Sequence, residues 1–252
     1  MRLSLKAFTL LTVFLFVSCA SSTTEKISTQ LPLEKASNPD CLDDCDALKK
    51  IDSEKLANEV DKDRSVFQIR GLGCNYLQFG TGFFVEKDLL ITNAHVVAGV
   101  NLPVILYEGK EHVLELVSFD PNSDLAVLRA PFQTEKPLEL ANADEGETAT
   151  VVAYLKDGQR IVEEVKVKSK ILAVGKDIFG EEGDSREALS LEASIESGFS
   201  GSPVLNKDSS VIGVVFSRSR GGASTAYAVQ SSEVKRILEE EADLGGSAKC
   251  MP

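Results

Sequence analysis

The sequence predicts an all-β protein of two six-stranded antiparallel β-barrels followed by a C-terminal helix. From about residue 64 onward, short runs rich in β-branched and aromatic residues alternate with turn residues, as antiparallel strands do. These runs number about a dozen, which is more than one small barrel needs. A stretch rich in Glu, Pro and Ala at 131–147 divides them into two groups of about six. We therefore expect barrel 1 at about 64–131, barrel 2 at about 147–231 and a helix at 232–243.

The N-terminal residues predict export. A short basic start precedes an apolar run at 7–17, which is the pattern of a signal peptide and is too short to span a membrane comfortably. The run that ends at Cys19 resembles the lipobox of bacterial lipoproteins, and the alternative is that Cys19 belongs to a peptide that is discarded. We expect residues 1–18 to be a lipoprotein-type signal peptide. Cys19 would then anchor the chain to a membrane, in the periplasm or at the cell surface.

The amino-acid composition divides the rest of the chain into a linker, a short helix, a folded domain and a tail. Residues 19–45 are mostly small and polar, and they predict a flexible linker because they cannot bury enough apolar surface to fold. Residues 46–63 have loosely helical apolar spacing, which predicts a short helix. The folded domain is expected at 64–244, and residues 245–252 form a tail that contains Cys250.

Charge and metal-ligating residues limit the partners. The chain carries a formal net charge of −12 at pH 7, which argues against nucleic acid or anionic lipid headgroups as partners held by charge. His95 and His112 are the two histidines, and the paired cysteine and histidine spacing of a zinc site does not occur. We expect no metal and no nucleic acid, and the sequence does not predict an oligomeric state.

Five cysteines are an odd number for an exported protein. With Cys19 assigned to a lipid, Cys41, Cys45, Cys74 and Cys250 remain to pair, and four cysteines allow three connectivities. Cys41 and Cys45 are close in sequence. The simplest arrangement is therefore a disulfide that closes a local loop between these two and a second, long-range disulfide from Cys74 to Cys250.

Three residues far apart in sequence are candidates for nucleophilic catalysis. Peptide hydrolysis by a serine requires an imidazole that takes the hydroxyl proton, a carboxylate that orients the imidazole, and amide donors for the developing oxyanion. His95 lies where the apolar run LLIT ends, Asp124 lies in a turn before LAVLRA, and Ser200 lies in the tight turn GFSGSP. Each feature alone is common in turns. Their order, with the first two in one predicted barrel and the third in the next, indicates a catalytic triad.

The motifs around these residues resemble those of the trypsin-like serine proteases, which have the chymotrypsin fold, and in particular the bacterial periplasmic branch. GTGFFV and LLITNAHVVAG are similar to the family's Gly-x-Gly-Phe strand and Thr-x-Ala-His motif, SDLAVL to its Asp-Leu-Ala-Val-Leu, and GFSGSPVL to its Gly-x-Ser-Gly-Gly-Pro. The likeness extends to mycobacterial membrane-anchored members, in which two cysteines that flank the domain form a disulfide. It implies the same pairing for Cys74 and Cys250.

The resemblance implies a function and a set of site residues. His95 would be the general base, Asp124 its orienting carboxylate and Ser200 the nucleophile of a serine endopeptidase that hydrolyses peptide bonds through an acyl-enzyme. The backbone amides of Gly198 and Ser200 would form the oxyanion hole. Proteins or peptides would be the substrates, and no cofactor would be needed.

Two positions depart from the family's pattern. Phe199 stands where most relatives have Asp or Asn, and Ser202 replaces a common glycine. Phe199 motivates an alternative function, in which the chain is a non-catalytic binding lipoprotein with a protease-like fold.

The resemblance also indicates a substrate pocket. In the family, specificity depends on the residue six before the serine and on the strand that follows it, which correspond here to Ser194 and to Phe216 and Ser217. Ser194 carries no charge, so no strong preference for Arg or Lys at the cleavage site is expected. The alternative for Phe216 and Ser217 is that they are ordinary strand residues.

Overall fold

The computed structural model describes residues 65–218, 224–240 and 244–252. The predictions of a signal peptide, a Cys19 anchor, a linker, a local pairing of Cys41 with Cys45 and a helix at 46–63 lie outside the described residues. Within the described ranges, no helix is long and apolar enough to cross a membrane.

The first half of the domain is a seven-stranded antiparallel sheet in the order β5-β4-β1-β2-β3-β7-β6. Its side chains alternate between the two faces; β1, for example, buries Phe67 and Ile69 and leaves Gln68 and Arg70 partly exposed. A one-turn helix, α1 (Ala94–Val97), follows β3. The strands are β1 (Val66–Gly73), β2 (Tyr76–Phe84), β3 (Leu89–Thr92), β4 (Val104–Tyr107), β5 (Lys110–Val113), β6 (Glu115–Asp120) and β7 (Leu125–Arg129).

The second half is a closed six-stranded barrel in the order β10-β13-β12-β11-β8-β9. A C-terminal helix, α2 (Ser231–Glu239), follows it directly and buries Val234 and Ile237. The strands of the barrel are β8 (Thr148–Tyr154), β9 (Arg160–Ala173), β10 (Arg186–Glu192), β11 (Pro203–Leu205), β12 (Val211–Arg218) and β13 (Thr225–Gln230).

The core of the described residues has one apolar cluster inside each sheet and one shared between them. Strand β12 contributes to two of these clusters: Ile212 and Val215 face the interior of the closed barrel, whereas Val211 and Val214 face the shared cluster. The shared cluster also takes side chains from the first sheet and from α2. The two sheets and the helix therefore pack on common apolar surface, which fixes the strand ends that carry the site.

The predicted fold class is confirmed, since the domain is all-β with two antiparallel sheets and a C-terminal helix. The first sheet differs in detail from the predicted six-stranded barrel. It has seven strands, and in the described residues its end strands β5 and β6 each pair with one neighbour, so hydrogen bonds do not close it. The extra strand arises because the run HVLELVSF is divided at Leu114 into β5 and β6, where the Leu114 amide donates to Pro103 O at 2.8 Å.

Candidate active site

His95 and Asp124 meet at the ends of two paired strands. Strands β3 and β7 are neighbours, with Thr92 opposite Ala126, so the residues just after β3 lie beside those just before β7. His95 Nδ1 lies 2.7 Å from Asp124 Oδ2 and 3.0 Å from Oδ1. The backbone amide of His95 also donates to Asp124 Oδ1, at 3.0 Å. Because a carboxylate only accepts, Nδ1 carries a proton and Nε2 is left as an acceptor.

Asp124 is held in an uncommon backbone conformation. Its φ angle is 58°, in the left-handed region, and Asn93 Nδ2 donates to its carbonyl oxygen at 2.8 Å. Its side chain is only 5% exposed, whereas that of His95 is 24% exposed. The carboxylate is thus more shielded from solvent than the imidazole that it contacts.

Asp124 changes the acidity of His95. Burial of the imidazole disfavours its charged form, but the negative charge of Asp124 and the hydrogen bond between the two side chains outweigh burial. The pKa of His95 is therefore raised above its ordinary value. A base of this kind is strong enough to take a proton from a hydroxyl group during a reaction.

Ser200 lies in a turn that strand β2 of the first sheet holds in place. The Thr81 amide donates to the Ser200 carbonyl at 2.8 Å, and the Thr81 hydroxyl donates to the Gly198 carbonyl at 2.9 Å. The Gly201 amide donates to Val215 O at 2.8 Å. These three bonds tie the turn to both sheets and fix the direction of the Ser200 side chain relative to the first sheet.

Position 198, two residues before Ser200, requires glycine because of its backbone geometry. Gly198 has a φ angle of 107°, and a Cβ there would lie 2.2 Å from Tyr154 O. The Phe199 amide donates to Glu196 O at 3.3 Å, which closes the turn. Among the described residues, the amides of Gly198 and Ser200 donate to no other protein atom. Both amides are thus available to a ligand oxygen.

Phe199 and Ser202, the two departures from the family's pattern, are both buried. Phe199 is 2% exposed and packs in the interior of the closed barrel. Ser202 is fully buried, and its hydroxyl has no hydrogen-bond partner in the described part of the chain. The turn is therefore anchored by apolar packing at the position where a polar residue is common in the family.

One cavity brings His95, Gly198 and Ser200 together. Its volume is about 350 Å³. Five residues that the sequence analysis did not single out also line it: Gln78, Phe79, Val96, Met251 and Pro252. Val96 lies in the NAHVVAG motif, directly after His95, whereas no motif marks the other four. A larger cavity, of about 510 Å³, lies beside Asp120 and Arg236 and holds none of the three residues His95, Asp124 or Ser200.

The role of the expected specificity residues stays a prediction, since they do not line this cavity. Ser194 is exposed, and its hydroxyl is 3.4 Å from that of Ser224. Phe216 is half-buried against the shared core, with the guanidinium of Arg186 4.7 Å from its ring centroid. Neither these two residues nor Ser217 lines the cavity of His95 and Ser200.

Cys74 and Cys250 are joined by a disulfide with a Cα–Cα distance of 5.7 Å. Cys74 lies in the turn between β1 and β2, with a φ angle of 53°. The bond therefore places the C-terminal tail beside the turn between β1 and β2, at one end of these two strands. In the described residues there is no group of three or more His, Cys, Asp or Glu side chains that could hold a metal ion.

The chain matches known proteins over this region. Residues 80–214 match the trypsin-like peptidase domain. The chain is 34% identical over 175 residues to serine protease Rv3671c of Mycobacterium tuberculosis, covering 68% of this chain and 44% of that protein. It is 30% identical over 167 residues to a Brucella suis protein named "Probable periplasmic serine endoprotease DegP-like", covering 64% of this chain and 32% of that protein. The chain thus spans less than half the length of these relatives.

Solved protease structures superpose on this chain. The crystal structure of the active form of the M. tuberculosis Rv3671c protease superposes with a TM-score of 0.70 at 30% identity, over 76% of this chain and 88% of that one. The HtrA-type protease AlgW with a tripeptide superposes with a TM-score of 0.62 over 73% of this chain and 62% of that one. Its identity is 20%, so this second likeness supports the fold only. The chain belongs to the family of the trypsin-like peptidase domain.

Proposed function

We propose that this chain is a serine endopeptidase that hydrolyses peptide bonds through an acyl-enzyme on Ser200, with His95 and Asp124 as the other triad members. The observation that carries the proposal is the contact of His95 Nδ1 with Asp124 Oδ2 at 2.7 Å, with Ser200 lining the same cavity as His95. Nε2 of His95 is the acceptor that this contact leaves for the serine proton.

The chemistry follows from these positions. Ser200 Oγ forms a bond to the carbonyl carbon of the substrate while its proton moves to His95 Nε2, and the carbonyl electron pair moves to oxygen. The amides of Gly198 and Ser200 stabilise that oxyanion. The carbon–nitrogen bond then breaks, and Nε2 gives its proton to the leaving amine. Water attacks the resulting ester by the same steps and releases Ser200.

Proteins or peptides are the proposed substrates, since the relatives are named serine proteases or endoproteases. We also propose export, because of the signal-like N-terminus and because the Brucella relative is named periplasmic. The lipid anchor at Cys19 remains a prediction. Incorporation of a palmitate analogue into wild type but not into Cys19→Ala would support it, and equal incorporation into both would exclude Cys19.

Covalent labelling by a fluorophosphonate tests the catalytic proposal. The intact, disulfide-bonded protein should label at one site, and Ser200→Ala should not label, because the hydroxyl that attacks phosphorus is missing. The labelling rate should rise with pH through the raised pKa of His95, since only the neutral imidazole accepts the serine proton. In Asp124→Asn the rate should fall by about 10³ to 10⁴-fold.

A binding lipoprotein without catalysis is the other candidate, and the structure does not favour it. Phe199 motivated it, yet Phe199 is buried in the barrel and the Gly198 amide is free of protein partners in the described residues. A folded protein that neither labels nor cleaves casein at any pH between about 4 and 8 would contradict the peptidase proposal and support this candidate.

A further inference from the structure

The C-terminal tail forms part of the wall of the candidate active site. Met251 and Pro252 line the cavity that contains His95 and Ser200. The side chain of Met251 is partly open to solvent, with 37% of the residue exposed. Phe79 and Val96 add further apolar side chains to the lining, together with the polar Gln78.

Two bonds hold the tail in this position. The disulfide joins Cys250, the residue before Met251, to Cys74 at the edge of the same cavity. The Gly99 amide donates to Ser247 O at 2.7 Å, which fastens the tail to the chain just after α1. Gly99 has a φ angle of 70°, and a Cβ there would lie 2.4 Å from Cys74 Sγ, so the close approach requires glycine. These two bonds hold the tail against the domain, so Met251 forms a fixed part of the cavity wall.

The position of the cavity indicates which part of a substrate it would hold. The imidazole that takes the serine proton returns it to the leaving amine, so the leaving segment lies on the imidazole side of Ser200. The cavity lies on that side: His95 and Val96 of α1 and Phe79 of β2 line it. The residues expected to contact the acyl segment, Ser194, Phe216 and Ser217, do not.

We propose that Met251 is a specificity-determining residue on the leaving-group side of the active site. The subsite that it forms selects substrates with an apolar side chain on the residue directly after the scissile bond. This proposal rests on the peptidase function proposed above. A thioether side chain is flexible and polarizable, so it adapts to aliphatic and aromatic partners of different shape. Contact with Phe79, Val96 and Met251 removes the substrate side chain from water, which is the source of the preference.

Opposite charges at position 251 give the sharpest test. A proteome-derived peptide library is digested with wild type, Met251→Glu and Met251→Lys, and the residue after each cleaved bond is identified by mass spectrometry. Wild type should favour Leu, Ile, Met and Phe there by about 10-fold or more over Gly. Met251→Glu should shift the preference toward Lys and Arg, and Met251→Lys toward Asp and Glu. Because preferences are ratios within one digest, a general loss of rate does not affect them.

Leu244→Glu is the matched control. Leu244 is an apolar residue of the same tail, it is 49% exposed, and it does not line the cavity. Its substitution should leave the preference as in wild type. If wild type labels with the fluorophosphonate and both Met251 variants keep the wild-type preference, the subsite proposal is wrong and the peptidase proposal stands. If wild type neither labels nor cleaves, the peptidase proposal fails, and the subsite proposal fails with it.

Discussion

At the scale of single residues, Phe199 anchors the turn before Ser200 to the interior of the closed barrel. It is 2% exposed inside the closed barrel, beside side chains such as Val151 and Ile212. Burial of a phenylalanine side chain contributes about 1.5–3 kcal/mol relative to an exposed one. The turn between Glu196 and Gly201 is therefore fixed to the barrel interior by apolar packing, and the Gly198 amide keeps its position through that anchor.

Substitution of Phe199 by Ala should therefore impair both stability and catalysis. The cavity left behind should lower the free energy of unfolding by about 3–5 kcal/mol. The turn would lose its anchor, so we expect the labelling rate per folded molecule to fall as well. Chemical denaturation measures the first effect, and fluorophosphonate labelling normalised to the folded fraction measures the second.

Phe67→Ala is the matched control for this prediction. Phe67 is a buried phenylalanine, 7% exposed, in the core of the other sheet. Its substitution should destabilise the protein by a similar amount without slowing the labelling of folded molecules. Equal normalised labelling by both variants would show that Phe199 contributes to stability only.

At the scale of elements, the turn between β6 and β7 carries Asp124 and is clamped from outside the first sheet. The Ser123 hydroxyl donates to Asp120 Oδ2 at 2.6 Å, and Arg236 of helix α2 donates to the same oxygen at 2.5 Å. Arg186 of β10 donates to Asn122 O. The barrel and the C-terminal helix thus both hold the turn that ends in Asp124. We call this set of hydrogen bonds the clamp.

The pH dependence of stability tests this clamp. Burial of Asp120 favours its neutral form, but hydrogen bonds from Ser123, Arg236 and the Asn122 amide, with the charge of Arg236, outweigh it and lower the pKa of Asp120. Since the folded pKa is lowered, the stabilisation is fully present above the ordinary carboxyl pKa and is lost as pH falls through the lowered value. Arg236 is 39% exposed, so solvent weakens the pair. Asp120→Asn should cost about 1–2 kcal/mol at neutral pH and progressively less below about pH 4, as measured by denaturation.

An exposed ion pair in the same sheet is the control. Asp88 and Arg129 lie 3.4 Å apart, with side chains 36% and 46% exposed. Asp88→Asn should change stability by less than about 0.5 kcal/mol at any pH. An Asp120→Asn effect as small as this, or one that grows as pH falls, would contradict the clamp.

Elements differ in how far they could be predicted. The strands and the tight turn at Ser200 could be predicted because local sequence patterns mark them. That His95 and Asp124 act together was expected from the order of three separate motifs and their resemblance to a family. The clamp could not be predicted, since Asp120 and Arg236 are 116 residues apart and no local pattern links the two positions. The open seven-stranded sheet depends on which strand edges pair, and that is a property of tertiary packing.

At the scale of the whole molecule, the disulfide connects the two ends of the described domain. Cys74 and Cys250 are 176 residues apart, so the loop they close contains most of the first sheet, the entire barrel and α2. Such a long loop loses much conformational entropy in the unfolded chain when the bond is present. The same bond holds Met251 at the cavity of His95 and Ser200, so stability and the shape of the site depend on one covalent link.

Reduction of this bond should lower stability and change selectivity together. We expect a loss of about 2–5 kcal/mol in the free energy of unfolding, and a weaker preference for apolar residues after the scissile bond because the tail is released. Thermal unfolding and peptide-library digestion with and without reductant measure the two effects. The variant Cys74→Ser/Cys250→Ser should behave like reduced wild type and should not respond to reductant, whereas Cys41→Ser/Cys45→Ser should still respond. Both expectations would be contradicted if reductant left the melting temperature and the cleavage preference of wild type unchanged. A response that requires Cys41 and Cys45 would assign the effect to a different bond.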